Sequence, residues 1–127
     1  MLYCAADKLF LSADQVLSKI SPNVSVWAVE PEQNSLGEYL ASLASLTTTL
    51  PYDVLVLPGH GVPFYGLKTR IKQLADHHED RCRLIAEACR DVSQTSRQLV
   101  PVVFNKYPLD VHQMGFASGE LIAHVNY

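Results

Sequence analysis

The sequence predicts an α/β fold, and three observations indicate it. The segment "DVLVLPGHG" begins with a continuous apolar, β-branched run of strand length, which is typical of a buried strand. An amphipathic segment precedes this run and another follows it, and alternation of helices with a buried strand is typical of layered α/β folds. The chain has 127 residues, of which 48% are apolar and 18% charged, enough for a small domain with a core.

The first residues predict a β-hairpin. Residues 2–5 and 9–12 are short apolar runs joined by the turn Ala6-Asp7-Lys8. Ala13 and Asp14 then follow the second strand. The next segment, from about residue 16 to Pro31, is predicted to be irregular or extended.

The first of four predicted helices lies in "EQNSLGEYLASLASLTTTL". Asn34 or Ser35 is a suitable N-cap, with Glu38 in the first turn. The helical period is carried by Leu36, Tyr39, Leu40, Leu43 and Leu46. After it, the run "VLVLP" predicts an interior strand that is covered on both faces.

The second predicted helix is long and lies in "YGLKTRIKQLADHHEDRCRLIAEACRD". Cys82 and Cys89 share a face about two turns apart, too far for a disulfide, and both are expected to be small buried side chains. The predicted apolar seam comprises Leu67, Ile71, Leu74, His78, Cys82, Ile85 and Cys89.

Two further helices are predicted at residues 93–104 and 110–127. Thr95 and Gln98 fit a capping box, and Asp110 is a suitable N-cap. Gly115 and Gly119 share one helix face, which indicates close packing of the backbone there. A composition change near residues 91–96 predicts two parts, residues 1–92 and residues 93–127.

Composition excludes several classes of protein. The net charge of −3 and the pI near 5.9 give no basic footprint for nucleic acid, and after Asp91 the fixed positive charges are Arg97 and Lys106. No apolar run is long enough to span a bilayer, and the N-terminus does not fit a signal peptide. Three cysteines without a CxxC pair predict free thiols in a reducing compartment, most simply the cytoplasm.

Asp14 and His60 are the candidate functional residues because each follows a predicted strand. Glycines flank His60, and Pro58 and Pro63 stiffen its loop, so the imidazole is presented for metal ligation or proton transfer. A hydrogen-bonding cap of the strand end is the alternative for His60. For Asp14 the alternative is a carboxylate that binds only loop amides.

The other histidines are expected to be structural. At most one of His77 and His78 faces inward, as a core histidine satisfied by Arg81, Glu79 or a carbonyl. His78 and Cys82 are four residues apart and form at best half of a metal site. His112 and His124 are expected at a surface or an interface.

In order and spacing, these segments resemble the metallo-β-lactamase superfamily, and most closely its glyoxalase II-like hydrolases. The matching stretches are "LFLSADQVLSKISPNVSVWAVEPEQNSLGEYLASL", "DVLVLPGHGVPFYGLKTRIKQLADHHEDR" and the tail "TSRQLVPVVF" to "HQMGFASGELIAHVNY". The resemblance implies the C-terminal half of an αββα sandwich followed by a helical, winged-helix-like extension.

The resemblance also implies roles for both candidate residues. Asp14 matches the aspartate that bridges two metal ions and orients a catalytic hydroxide, and His60 matches the last histidine ligand. The metals implied are zinc, iron or manganese, and the substrate implied is a small thioester or ester. Ala13 stands where the family usually has glycine.

The family's principal metal motif, His-x-His-x-Asp-His, does not occur in this sequence. We therefore expect the chain alone to be catalytically silent. We also expect it to associate, either with itself or with the N-terminal half of such an enzyme, because half a sandwich leaves an apolar sheet face open. The alternatives are a non-enzymatic interaction module and nucleic-acid binding through the tail, and the acidic balance disfavours the latter.

Overall fold

The computed structural model describes residues 1–105 and 108–127; Lys106 lies outside the described residues. The chain forms two compact units: the first is Met1–Pro22 with Leu40–Asp76, and the second is Asn23–Tyr39 with His77–Tyr127. The predicted division at residues 92 and 93 stays a prediction. In chain order the elements are β1 (Leu2–Cys4), β2 (Leu9–Ala13), α1 (Ser35–Thr49), β3 (Leu55–Pro58), α2 (Leu67–Ala88), α3 (Ser96–Val103) and α4 (Val111–Asn126).

A three-stranded sheet in the order β1-β2-β3 organises the first unit and confirms the α/β prediction. β1 and β2 form the predicted antiparallel hairpin, and β3 runs parallel to β2. Tyr3, Phe10 and Val56 share one row of the sheet, in which Phe10 and Val56 are buried. That row faces the core of the first unit.

The opposite face of the sheet is apolar but open. Its central row is Leu2, Leu11 and Leu57; Leu2 is 66% exposed and Leu11 43% exposed. Among the described residues β3 lies at the edge of the sheet, with one bridge from Val56 to Phe64. The prediction of an interior strand covered on both faces is therefore wrong for this chain. A continuous apolar run shows that both faces of a strand can be buried, but not that another element packs against each face.

Capping bonds confirm the predicted starts of α1 and α4, whereas α3 begins at Ser96, three residues after the predicted start. The Gly37 amide donates to the Asn34 side chain at 2.9 Å, so Asn34 caps α1. The Gln113 amide donates to Asp110 Oδ1 at 2.8 Å at the start of α4. Before α3, the Thr95 amide donates to the Gln98 side chain at 2.9 Å, as a capping box requires.

The tail packs through a small hydrophobic cluster within the second unit. Its members are Ile85, Leu99, Val100, Ala117 and Leu121. Gly119 confirms the predicted close approach: its carbonyl accepts from the Val26 amide at 3.1 Å, and a Cβ there would lie 3.0 Å from Ser25 Cβ. A Cβ at Gly115 would meet nothing within 4 Å, so that position needs no glycine for packing. A winged-helix-like arrangement stays a prediction.

The α2 seam is shorter than the sequence predicts. Leu67, Ile71, Leu74 and Ile85 are buried, but Cys82 is half-buried and Cys89 is exposed. The expectation that both cysteines are buried is wrong. The helix ends at Ala88, so Cys89 lies beyond the segment that the core covers. No helix in the described part of the chain is both long and apolar enough to cross a membrane.

Candidate metal centre

The end of β2 and the end of β3 are tied together, which places Asp14 and His60 side by side. The Gly59 amide donates to the Ala13 carbonyl at 2.8 Å, and Ala13 pairs with Pro58 across an irregularity in the strand register. Ala13 has φ of +49°, a conformation that favours glycine. The chain therefore accepts backbone strain at the residue that turns Asp14 toward the His60 loop.

Both glycines beside His60 are required by the geometry. A Cβ on Gly59 would lie 2.5 Å from Asp14 Oδ1 and 3.2 Å from the Ala13 carbonyl carbon. Gly61 has φ of +89°, and a Cβ there would lie 2.8 Å from Ser18 Oγ. Gly59 therefore lets the histidine loop lie close to the Ala13 backbone, and Gly61 supplies a left-handed conformation that other residues rarely adopt.

Asp14 and His60 form an exposed pair. His60 Nε2 lies 3.6 Å from Asp14 Oδ1, and the side chains are 72% and 66% exposed, respectively. That distance is long for a hydrogen bond but close to the roughly 3.3 Å that separates two ligands of one tetrahedral zinc ion. The donor set, one carboxylate and one imidazole, suits zinc, iron or manganese. A metal ion therefore fits between these two side chains.

A cleft lies beside His60 in the same unit. It encloses about 250 Å³ and is lined by Leu17, Ser18, Lys19, Ile20, His60, Gly61 and Val62. The Arg70 guanidinium fixes one wall by donating to the Leu17 carbonyl at 2.7 Å and to the Ile20 carbonyl at 2.9 Å. These bonds hold the segment after Asp14 in place against α2.

The second unit contains a separate group of buried polar side chains. His124 Nδ1 donates to the Glu120 carbonyl at 2.6 Å, which leaves Nε2 as an acceptor. His78 Nδ1 lies 3.0 Å from that nitrogen and donates to it. The remaining ring nitrogen, His78 Nε2, is buried without a hydrogen-bond partner among the described residues.

Burial sets the protonation of this group. Burial, with His124, His77 and Arg81 nearby, lowers the pKa of His78 to about 3. Burial also lowers the pKa of His124, against the effect of its bond to the Glu120 carbonyl. Burial raises the pKa of Glu120, and the Arg81 ion pair opposes that rise. Both imidazoles are therefore neutral at pH 7.

This group corrects one sequence prediction and refines another. The expectation that His124 lies at a surface or an interface is wrong, since it is only 5% exposed. His78 is the inward-facing histidine, as expected, yet its partner is His124 rather than Arg81, Glu79 or a carbonyl. The overlooked signal is Glu120 and His124, four residues apart on one face of α4, although sequence alone does not place α2 against that face.

The fold and the strand-end pair define a mixed α/β chain that presents a carboxylate and an imidazole on neighbouring loops. Residues 82–127 match the family of metallo-β-lactamase-like C-terminal domains. The whole chain is similar to a β-lactamase domain protein from Burkholderia ambifaria, with 46% identity, 98% of this chain covered and a TM-score of 0.93. It is also similar to a metallo-β-lactamase family protein from Thermus thermophilus, with 29% identity, 98% coverage and a TM-score of 0.81.

The chain spans only 36% and 38% of the lengths of these two structures. No curated protein matches it. The two structures support the predicted metallo-β-lactamase-like fold. The family match supports the predicted resemblance for residues 82–127. The structural matches concern about a third of each larger protein.

Proposed function

We propose that this chain is the C-terminal portion of a metal-dependent hydrolase of the metallo-β-lactamase superfamily, and that Asp14 and His60 are metal ligands. The observation that carries the proposal is the 3.6 Å separation of Asp14 Oδ1 and His60 Nε2 at the ends of two paired strands. The Ala13–Gly59 backbone bond ties the two loops together, although Ala13 adopts a left-handed φ there.

The bound metal would supply an activated hydroxide and polarise the scissile carbonyl. Asp14 would hold its carboxylate toward the ion and orient the hydroxide, while His60 would contribute a ring nitrogen from a stiff loop. We propose small thioesters or esters as substrates, in the manner of glyoxalase II-like hydrolases, and a cytoplasmic location. A catalytic zinc needs three protein ligands, so the strand-end pair requires ligands from outside these two loops.

Metal binding by the pair is tested with Mn²⁺, which broadens the NMR signals of nearby nuclei. Two ligands bind weakly, so we expect broadening centred on the amides of Ala13, Asp14 and residues 59–61 as Mn²⁺ is added. Asp14→Asn and His60→Gln are each expected to remove it. Broadening centred on other surface carboxylates, with none at this pair, would contradict the proposal.

The second candidate function is an interaction module, and the open sheet face favours it. The hollow over this face encloses about 460 Å³ and is lined by Met1, Leu2, Leu11, Ala13, Leu57, Pro58 and Gly59. An apolar face of this kind is an association site. We propose that it packs against a second copy of the chain, or against the N-terminal half of the hydrolase where that half is present.

Association through the sheet face predicts a concentration-dependent increase in mass by light scattering. Leu11→Lys places a charge at the centre of the open face and should return the chain to a monomer. Val29→Lys is the matched control, because Val29 is 88% exposed and lies outside the sheet. A wild-type chain that stays monomeric at high concentration, or equal association of both variants, would rule out this surface.

A further inference from the structure

We propose that His78, Glu120 and His124 form a zinc site that joins α2 to α4 within the second unit. The site goes beyond the strand-end pair, since it shares no residue with it. One ring nitrogen from each histidine and one carboxylate oxygen of Glu120 lie within 4.8 Å of one another, and all three residues are buried. Two histidines and one glutamate are an established ligand set for zinc.

The backbone positions suit a shared ion. Glu120 and His124 are four residues apart on α4, so their side chains project from the same face. The facing ring nitrogens of His78 and His124 are 3.0 Å apart, close to the roughly 3.3 Å between ligands of tetrahedral zinc. The carboxylate oxygen would need to move inward by about 1.5 Å at most to complete the set.

Two of the three ligands already have the outer partners that metal ligands require. Ligating histidines usually donate their second N–H to a carbonyl or carboxylate, and ligating carboxylates are themselves hydrogen-bonded. His124 Nδ1 donates to the Glu120 carbonyl, which leaves Nε2 to coordinate. Arg81 pairs with Oε1 of Glu120 and orients the carboxylate.

His78 supplies the third ligand by a change of tautomer. In the metal-free chain its Nδ1 holds a proton that is donated to His124, whereas its Nε2 has no partner among the described residues. Zinc bound between the rings displaces that proton, and the vacant Nε2 receives it, so both imidazoles stay neutral.

The test uses the full chain carrying Asp14→Asn and His60→Gln, which removes the strand-end ligands. After treatment with a chelator, we expect calorimetric titration with Zn²⁺ to give one site per chain. In this background Glu120→Gln should weaken binding more than tenfold, and His124→Gln should abolish it. His112→Gln is the matched control and should leave zinc affinity unchanged, because His112 is an exposed imidazole on α4 outside the proposed site.

X-ray absorption at the zinc edge should show nitrogen and oxygen ligands without sulfur. Absence of zinc binding in the Asp14→Asn, His60→Gln background, or full affinity in His124→Gln, would overturn the site. So would loss of zinc in Cys82→Ser, since that would assign the ion to His78 and Cys82. If circular dichroism shows His124→Gln unfolded, His78→Gln and Glu120→Gln decide the matter. None of these outcomes alters Mn²⁺ broadening at Asp14 and His60, so the two proposals fail separately.

Discussion

Arg81→Met is expected to lower the free energy of unfolding by about 3–5 kcal/mol in zinc-free protein. Arg81 and Glu120 form an ion pair whose side chains are only 15% and 10% exposed, respectively. Methionine keeps much of the apolar stem but removes the guanidinium, so the Glu120 carboxylate loses its counter-charge. The cation–π contact, in which the guanidinium carbon of Arg81 lies 4.7 Å from the centre of the Phe104 ring, is lost as well. Denaturant unfolding with a chelator present measures the effect.

Arg83→Met is the matched control for Arg81→Met. Arg83 pairs with Asp80 and Glu87 on the same helix, but its side chain is 62% exposed, and exposed ion pairs contribute little to stability. Adding Glu120→Leu to Arg81→Met should restore much of the lost stability, because no unpaired charge then remains buried. Equal losses from Arg81→Met and Arg83→Met would show that the Arg81–Glu120 pair does not stabilise the second unit.

The zinc-free chain is expected to lose stability as the pH falls below about 6.5. Among the groups with lowered pKa values, His78 is expected to contribute most to this loss. Its pKa is about 3 in the folded chain and 6.5 in the unfolded chain, so below pH 6.5 the unfolded state binds the additional proton. The free energy of unfolding therefore falls by about 1.4 kcal/mol for each pH unit, or roughly 2 kcal/mol between pH 7.5 and pH 5. His124, whose pKa is also lowered, adds a loss of the same sign, whereas Glu120, whose pKa is raised by burial, opposes the loss.

The contribution of His78 is isolated by His78→Leu, which should flatten the pH dependence between pH 7.5 and pH 5. His112→Leu removes an exposed imidazole from the same unit and serves as the control. An unchanged pH dependence in His78→Leu would show that this imidazole accepts a proton without unfolding. Denaturant titrations at the two pH values, again with a chelator, supply the comparison.

Local signals in the sequence are sufficient to predict most of the elements. Apolar periodicity, together with caps at Asn34, Thr95 and Asp110, places the four helices within a few residues of their observed bounds. The hairpin and the strand before His60 follow from short apolar runs. Asp14 and His60 stand out because polar residues directly after strands are presented at the edge of a sheet.

What the sequence could not supply depends on contacts between distant segments. The exposure of Leu11 and the edge position of β3 depend on which other elements pack on or beside the sheet. The pattern of apolar and polar residues along one strand does not show this. The burial of His124 depends on how α2 packs against α4. Neither helix reveals that contact alone, so the group of His78, Glu120 and His124 emerged only from the structure.

The central claim, that Asp14 and His60 bind one metal ion together, is tested most directly by a double-mutant cycle on Mn²⁺ binding. Affinity at the strand-end site is measured by NMR broadening for the wild type, Asp14→Asn, His60→Gln and the double variant. We predict that each single variant removes the localised broadening and that the double variant loses no more than either one. Broadening that survives in either single variant, or losses that add independently, would contradict a shared ion.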